Sequence, residues 1–384
     1  MTLIPAILLT IVCPAAVLAA DSFSPGALWP DDRGVHINAH GGGVLYERGV
    51  YYWFGEHKIA GTAGNRAHVG VHVYSSADLY NWTDRGIALS VTSAPGSDLA
   101  DGCVLERPKV LKCPGTGKYV MWFHLEPAGK GYAAARAGVA IADSVVGPYH
   151  FLGSFRLCAG YWPRNVPDDR KKPLSPDETA ELAKIKFKGS PQPDYPEDIL
   201  YRRDFAAGQM LRDMTLFADD DGTAYVVYAS EENGTLQIAE LTGDYLKTDG
   251  QYIRVLPGGF NEAPTIFKRG GVYYLITSGT HGWAPTDARL AVADSIWGPW
   301  KAMGNPCIGP PDQTKITFSS QGTFVLQVQG KPDAFIFMAD RWKKQDAIDG
   351  RYIWLPILFQ DGLPTIEWRD RWDLTVFENA PHHL

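Results

Sequence analysis

HGGGVLYERGVYYWFGE (40–56), ERPKVLKCPGTGKYVMWFH (106–124), DMTLFADDDGTAYVVYAS (213–230), EAPTIFKRGGVYYLITSG (262–279) and QGTFVLQVQGKPDAFIFMAD (321–340) are one phrase written five times. Each copy sets a polar residue ahead of a short apolar strand, a Gly- or Asp-rich turn, and a second strand rich in aromatic and β-branched residues. The lead position changes from copy to copy, reading His40, Glu106, Asp213, Glu262 and Gln321, while the strands behind it stay alike. Between copies lie segments such as 69–86, 137–153, 236–255 and 288–303, with 351–370 closing the series, and each reads as strand, tight turn, strand. Four strands per unit in five units predict an all-β chain: a five-bladed β-propeller with four-stranded antiparallel blades. A β-sandwich would also alternate its strands, but it gives no reason for the same polar-then-apolar phrase to recur at blade spacing.

One stretch breaks the pattern. Residues 158–210, between the second and third units, are rich in Pro and charge, and Ser175-Pro176-Asp177-Glu178 heads a helical run. Ser at the N-cap, Pro at the first helical position and Glu three residues on form a capping box, so this insertion is expected to hold a short helix. An insertion of this kind either caps the outside of a propeller or walls one side of its mouth.

The rest of the chain of 384 residues narrows the choices. It is 45% hydrophobic and 21% charged with net charge −7 and no basic cluster, so a nucleic-acid partner is not expected. Twelve Trp, 18 Tyr and 16 Phe suit a neutral, stackable ligand such as a sugar, and equally a large β core. Residues 1–20 are apolar and end in small residues, which reads as a secretory leader, leaving 21–384 as an exported or periplasmic, monomeric chain with no membrane contact after cleavage. Cys103, Cys113, Cys158 and Cys307 then remain, and Cys103 with Cys113 brackets one strand pair as a candidate disulfide.

In a propeller the innermost strands line the central channel, so the five lead residues are expected to meet there. Three carboxylates crowded into a partly dry funnel raise one another's pKa, which is what a carboxyl group needs to act as a general acid near neutral pH. Other motifs carry less. His40-Gly-Gly-Gly resembles an esterase oxyanion loop, but no G-x-S-x-G elbow accompanies it. Asp219-Asp-Asp-Gly222 suggests calcium, yet a hairpin turn accounts for it and no EF-hand spacing follows.

At these residues the chain resembles glycoside hydrolase family 43. Glu262-Ala-Pro-Thr-Ile-Phe resembles the family's acid strand and Arg212-Asp213-Met-Thr-Leu-Phe its central Asp strand. The blade-one Asp that serves as base in the family is absent, since 37–43 reads INAHGGG. That pattern, with Gly55-Glu56, Leu105-Glu106-Arg-Pro, Gly282-Trp-Ala-Pro and Ser320-Gln321, is similar to the exo-β-1,3-galactanase branch. The resemblance implies an exo-acting, inverting glycosidase that releases galactose from the β-1,3-galactan backbone of arabinogalactan. Glu262 would be the acid, Asp213 its modulator, and Gln321 the base-like group holding water. As a carboxylate, Glu106 is the better proton acceptor on chemical grounds, and the two stay open. Glu56, Tyr132, Thr280, Trp283 and His40 would contact the sugar, and Trp53 and Trp122 are further stacking candidates. No cofactor is required, although a structural Ca2+ at His40 is an alternative to simple hydrogen bonding there. Nearby branches of the fold imply a β-galactofuranosidase or α-L-arabinofuranosidase as rival activities, and loss of the Asp base leaves a non-catalytic galactan-binding propeller as a third.

Overall fold

A computed structural model of the chain describes residues 19–378. All but the last two residues of the expected leader fall outside them. The first repeat folds into β1–β4 (His40–Glu47, Val50–His57, Gly70–Ser76, Thr83–Ser90) and the second into β5–β8 (Val104–Lys112, Tyr119–Glu126, Arg136–Ala142, His150–Phe155). The third is β9–β12 (Met214–Ala218, Ala224–Ser230, Thr235–Leu241, Thr248–Val255) and the fourth β13–β16 (Asn261–Arg269, Val272–Gly279, Ala288–Ala293, Lys301–Gly304). The fifth, β18–β21 (Gln321–Gln327, Phe335–Arg341, Arg351–Gln360, Leu363–Glu367), gains a fifth strand, since the short β17 (Cys307–Ile308) pairs in parallel with β21. The first strand of each repeat touches the next around a closed circuit, β1 to β5 to β9 to β13 to β18 and back to β1. This is a five-bladed β-propeller.

A blade has a neighbour on each side, so both faces of its strands are buried and the sequence reads as nearly unbroken apolar runs. Alternation along a strand sends successive side chains to opposite seams. In β2, Trp53 enters the seam with the fifth blade while Phe54 enters the seam with the second. In β6, Met121 and Phe123 face the first blade, and Val120 and Trp122 face the third. Five such clusters fill the five seams. The seam that closes the ring is the most aromatic: Trp53, Trp82, Trp354 and Trp372 pack there with Phe23, which reaches across from the N-terminal segment. The N–H of Phe23 also donates to the carbonyl of Trp372 at 2.7 Å.

Trp53 and Trp122 are thus wedged between blades, 1% and 0% exposed, and unavailable to a sugar. The expected Cys103–Cys113 bridge does not form, because all four described cysteines are free and buried. The two flank opposite ends of β5, whose nine residues at ~3.3 Å each hold them far beyond disulfide reach.

The connection from β8 to β9 contains α1 (Pro176–Leu182) and the single-turn α2 (Leu200–Arg203). The capping box closes as its spacing requires: the N–H of Glu178 donates to Ser175 Oγ, and the N–H of Ser175 donates to Glu178 Oε2 at 2.7 Å. The segment is fastened to the third blade. Tyr195 Oη donates to the carbonyl of Glu231, and buried Arg254 donates to the Glu231 carboxylate and to the carbonyl of Glu197.

Replacing Trp53 with Ala removes the indole at the centre of the closing seam. The expected loss is about 3–5 kcal/mol, read as a lower denaturant midpoint at unchanged m-value. A loss below about 1 kcal/mol would mean the seam does not hold the ring.

Candidate active site

Backbone irregularity at the heads of the innermost strands makes the site. In β1, β5 and β13 two residues oppose one on the partner strand directly after the lead residue, between His40 and Gly43, Glu106 and Lys109, and Glu262 and Thr265. The residue after each lead takes a left-handed conformation, with φ of 62° at Gly41, 58° at Arg107 and 52° at Ala263. Such bulges bend a strand and re-aim its side chains. Pro108 and Pro264 occupy the bulges, where a missing N–H costs no ladder bond. The three glycines after His40 serve close approach: a Cβ on Gly41 would lie 2.1 Å from Glu56 Oε1, and one on Gly43 would lie 2.6 Å from Lys109 Cδ.

The lead residues converge, with one exception. Glu106, Asp213, Glu262 and Gln321 line a cavity of about 430 Å³ at one end of the channel. Glu56, Tyr132 and Trp283 line it too, together with Arg107, Arg212 and Trp342. Lys188, Gly189 and Ser190 come from the insertion, which therefore walls one side of the mouth. His40 lies beneath the floor. It is fully buried, stacks on Tyr352 with centroids 5.4 Å apart, and is held neutral by burial, which pushes its pKa well below the usual value. It cannot touch substrate in the way the sequence suggested, because the glycine bulge turns it inward. Thr280 is likewise buried and lies off the cavity wall.

Arg107 ties the site together. One nitrogen, Nη2, donates to Asp213 Oδ2 at 3.0 Å and to Gln321 Oε1 at 2.6 Å, while Nη1 donates to the carbonyl of Gly322 at 2.7 Å. Its backbone N–H donates to Glu56 Oε1 at 3.0 Å, and the guanidinium lies 5.4 Å from the Trp342 ring centre. Gln321 is saturated: its amide nitrogen donates to Glu262 Oε1 at 2.9 Å and Ser278 Oγ at 3.0 Å, while its oxygen also accepts from Trp342 Nε1. Asp213 Oδ2 accepts a further bond from the N–H of Ala263 at 3.0 Å. Sequence reasoning passed over Arg107, Trp342 and Arg212. The one available signal for Arg107 was its place directly after a lead residue and before Pro108.

Two carboxyl groups are driven in opposite directions. Burial, then the negative charge of Asp213, raises Glu262 from the ordinary 4.5 to about 8, against the pull of Arg107. Burial also opposes ionisation of Glu106, but the hydrogen bond and charge of His124, aided by Lys58 and Arg212, outweigh it and hold that carboxyl at about 2. His124 Nδ1 lies 3.2 Å from Glu106 Oε2, and its Nε2 lies 3.4 Å from Glu126 Oε1. A protonated acid and an ionised carboxylate in one cavity form the pair that general acid–base chemistry uses.

Among the described residues the one carboxylate within 4.0 Å of a His40 ring nitrogen is Asp340, with Oδ2 at 3.8 Å from Nδ1, whereas calcium takes six to eight oxygens. The side chains there do not build a calcium cage. Ligand atoms of Glu106, His124 and Asp213 fall within 4.8 Å of one another, but both His124 nitrogens face carboxylates and Asp213 is engaged by Arg107.

A carboxyl whose folded pKa is raised stabilises the fold fully below its unfolded value, and that contribution is lost as pH rises through the folded value. The Glu262→Gln protein should therefore gain in Tm over the parent between pH 4.5 and 8, and the gain should level off above. A pH-independent difference in Tm would show that Glu262 titrates as an ordinary glutamate.

The family described as Glycosyl hydrolases family 43 matches residues 195–364. A solved family-43 β-1,3-galactosidase, in complex with galactodeoxynojirimycin, is 49% identical, with a TM-score of 0.86 over 92% of this chain and all of that one. The exo-β-1,3-galactanase of Phanerochaete chrysosporium, solved with β-1,3-galactotriose, is 32% identical with a TM-score of 0.72 over 92% of this chain and 68% of that chain. A β-D-galactofuranosidase of Aspergillus niger is 28% identical over 118 residues, which is 29% of this chain and about a third (34%) of that protein. With a relative that similar along its whole length and the propeller in place, the chain belongs to glycoside hydrolase family 43.

Proposed function

We propose that the protein is an exo-acting glycosidase that releases galactose from β-1,3-linked galactan with inversion. The observation that carries this is Glu262, held protonated up to about 8 in a walled cavity of about 430 Å³, in a chain 49% identical to a family-43 β-1,3-galactosidase. A cavity of that size suits a small ligand rather than a polymer laid across an open groove. Trp283 and Trp342, whose ring centroids lie 6.3 Å apart at the mouth, give apolar faces for a sugar ring to stack on. The leader-like N-terminus supports export. No helix among the described residues is long and apolar enough to cross a membrane.

In this reaction Glu262 protonates the departing glycosidic oxygen. Asp213 keeps its pKa high and is itself held by Arg107 and the N–H of Ala263. Inversion places the group that activates water ~6.5–9.5 Å from the acid, on the far side of the sugar. Gln321 bonds Glu262 directly at 2.9 Å, and its oxygen already accepts from Arg107 and Trp342. It fits the role of holding the acid, and would act on water only after releasing one of those donors. Glu106, part-exposed in the cavity and ionised, is two blades away from Glu262 and takes the water without rearrangement.

Turnover of β-1,3-galactobiose, compared with aryl galactofuranoside and aryl arabinofuranoside, tests the substrate. Preference for the first is expected, while preference for the galactofuranoside would favour the activity of the Aspergillus relative. Glu262→Gln should lower kcat by at least ~10²-fold on an unactivated substrate. An unchanged rate would remove Glu262 from the mechanism. Asp213→Asn removes a charge that raises Glu262, so the alkaline limb of the kcat/KM profile should move to lower pH. A limb that stays in place would dissociate Asp213 from the acid. Glu106→Gln and Gln321→Ala should both impair turnover, with the larger loss in kcat at Glu106. The reverse order would move the water to Gln321.

A further inference from the structure

Four cationic side chains line the cavity, and three of them are paired. Lys58 lies against Glu56 at 2.5 Å, Arg107 against Asp213 at 3.0 Å, and Arg212 against Glu126 at 3.4 Å. The fourth, Lys188, has no carboxylate within ion-pair distance among the described residues, although it belongs to a chain with net charge −7.

Lys188 is also placed rather than trailing. The N–H of Lys188 donates to Gln192 Oε1 at 3.1 Å, and Gln192 Nε2 donates back to the carbonyl of Lys186 at 3.4 Å, which pins the stretch from both ends. Gly189, at φ 64°, sits on Tyr132 so closely that a Cβ would lie 2.9 Å from the phenolic oxygen. The Tyr132 ring also carries the Arg212 guanidinium, 3.3 Å from its centre. The loop is therefore locked onto the cavity wall, and Lys188 stands exposed at its rim.

We infer that the insertion loop 186–190 forms a subsite for an anionic substituent on the sugar chain, a uronate carboxylate or a sulfate ester, with Lys188 as the specificity-determining residue. This rests on the galactan-cleaving role given above. A neutral galactose unit can take from an ammonium only hydrogen bonds to its hydroxyls, whereas a branch bearing a negative charge gains a charge-assisted partner there. The pair stays in contact with solvent, so its contribution is small and screened by salt.

The test compares kcat/KM on a neutral β-1,3-galactan oligosaccharide with that on the same backbone carrying a uronate and on one carrying a sulfate ester. Parent, Lys188→Ala and Lys188→Glu proteins are assayed at low and high ionic strength. The ratio of charged to neutral substrate should fall about three- to fivefold in Lys188→Ala, and further in Lys188→Glu. The parent's ratio should also fall as salt rises. A fall confined to the uronate or to the sulfate identifies which anion is read. Ratios that match the parent's in both variants overturn the proposal. Affinities of Glu262→Gln and Glu262→Gln/Lys188→Glu proteins for the same oligosaccharides read the subsite without turnover. Binding that discriminates by charge, in a parent that hydrolyses none of the three, would sink the glycosidase role and leave the subsite standing.

Discussion

The site depends on one buried guanidinium. Arg107 rises from the second blade, bonds the carboxylate of Asp213 on the third and the backbone and side chain at Gly322 and Gln321 on the fifth, and takes Glu56 of the first on its own N–H. Through Gln321 it reaches Glu262 on the fourth. Its five donors in a fixed fork suit this task better than a lysine ammonium would. Burying such a charge is costly unless it is paired and hydrogen-bonded, and here acceptors from the third and fifth blades meet it. Blade positions and acid–base geometry are therefore set by the same group.

That arrangement also explains how one small cavity holds carboxyls of opposite character. Glu106 and Glu262 are both glutamates at the head of an innermost strand. Burial favours the proton on both; His124 beside the first overturns that effect, and Asp213 beside the second adds to it. Arg107 tempers the second effect, since it bonds Asp213 while lowering Glu262.

Much of this was legible in the sequence, because a repeat that varies at one register announces a common axis. The five-bladed ring, the short capped helix, and the meeting of Glu106, Asp213, Glu262 and Gln321 all follow from phrases visible in the chain. What was hidden has a physical reason in each case. His40 shares the lead register but is followed by three glycines, and the tight approach they permit sinks it below the floor. Trp53 and Trp122 looked like sugar platforms, yet alternation in a strand buried on both faces assigns them to the seams. Arg107 was missed because it follows a lead residue, and regular pleating would point it away from the axis. A bulge reverses that, and bulges leave only faint marks in sequence. Cys103 and Cys113 looked like a bridge bracketing one strand pair, but they sit at opposite ends of a single strand.

Among the described residues each blade is made of consecutive strands, and none is traded between the first blade and the last. The ring is sealed where Phe23 and Trp372 exchange backbone hydrogen bonds at 2.7 and 3.1 Å, beside an aromatic seam. Segments near the two ends of the described chain thus meet in that seam, and neither of them lines the cavity. The order in which the blades are threaded is then independent of the chemistry at the centre. A circularly permuted chain, rejoined at that seal and reopened at the exposed turn Pro114–Gly117, would bring the same carboxyls around the same guanidinium.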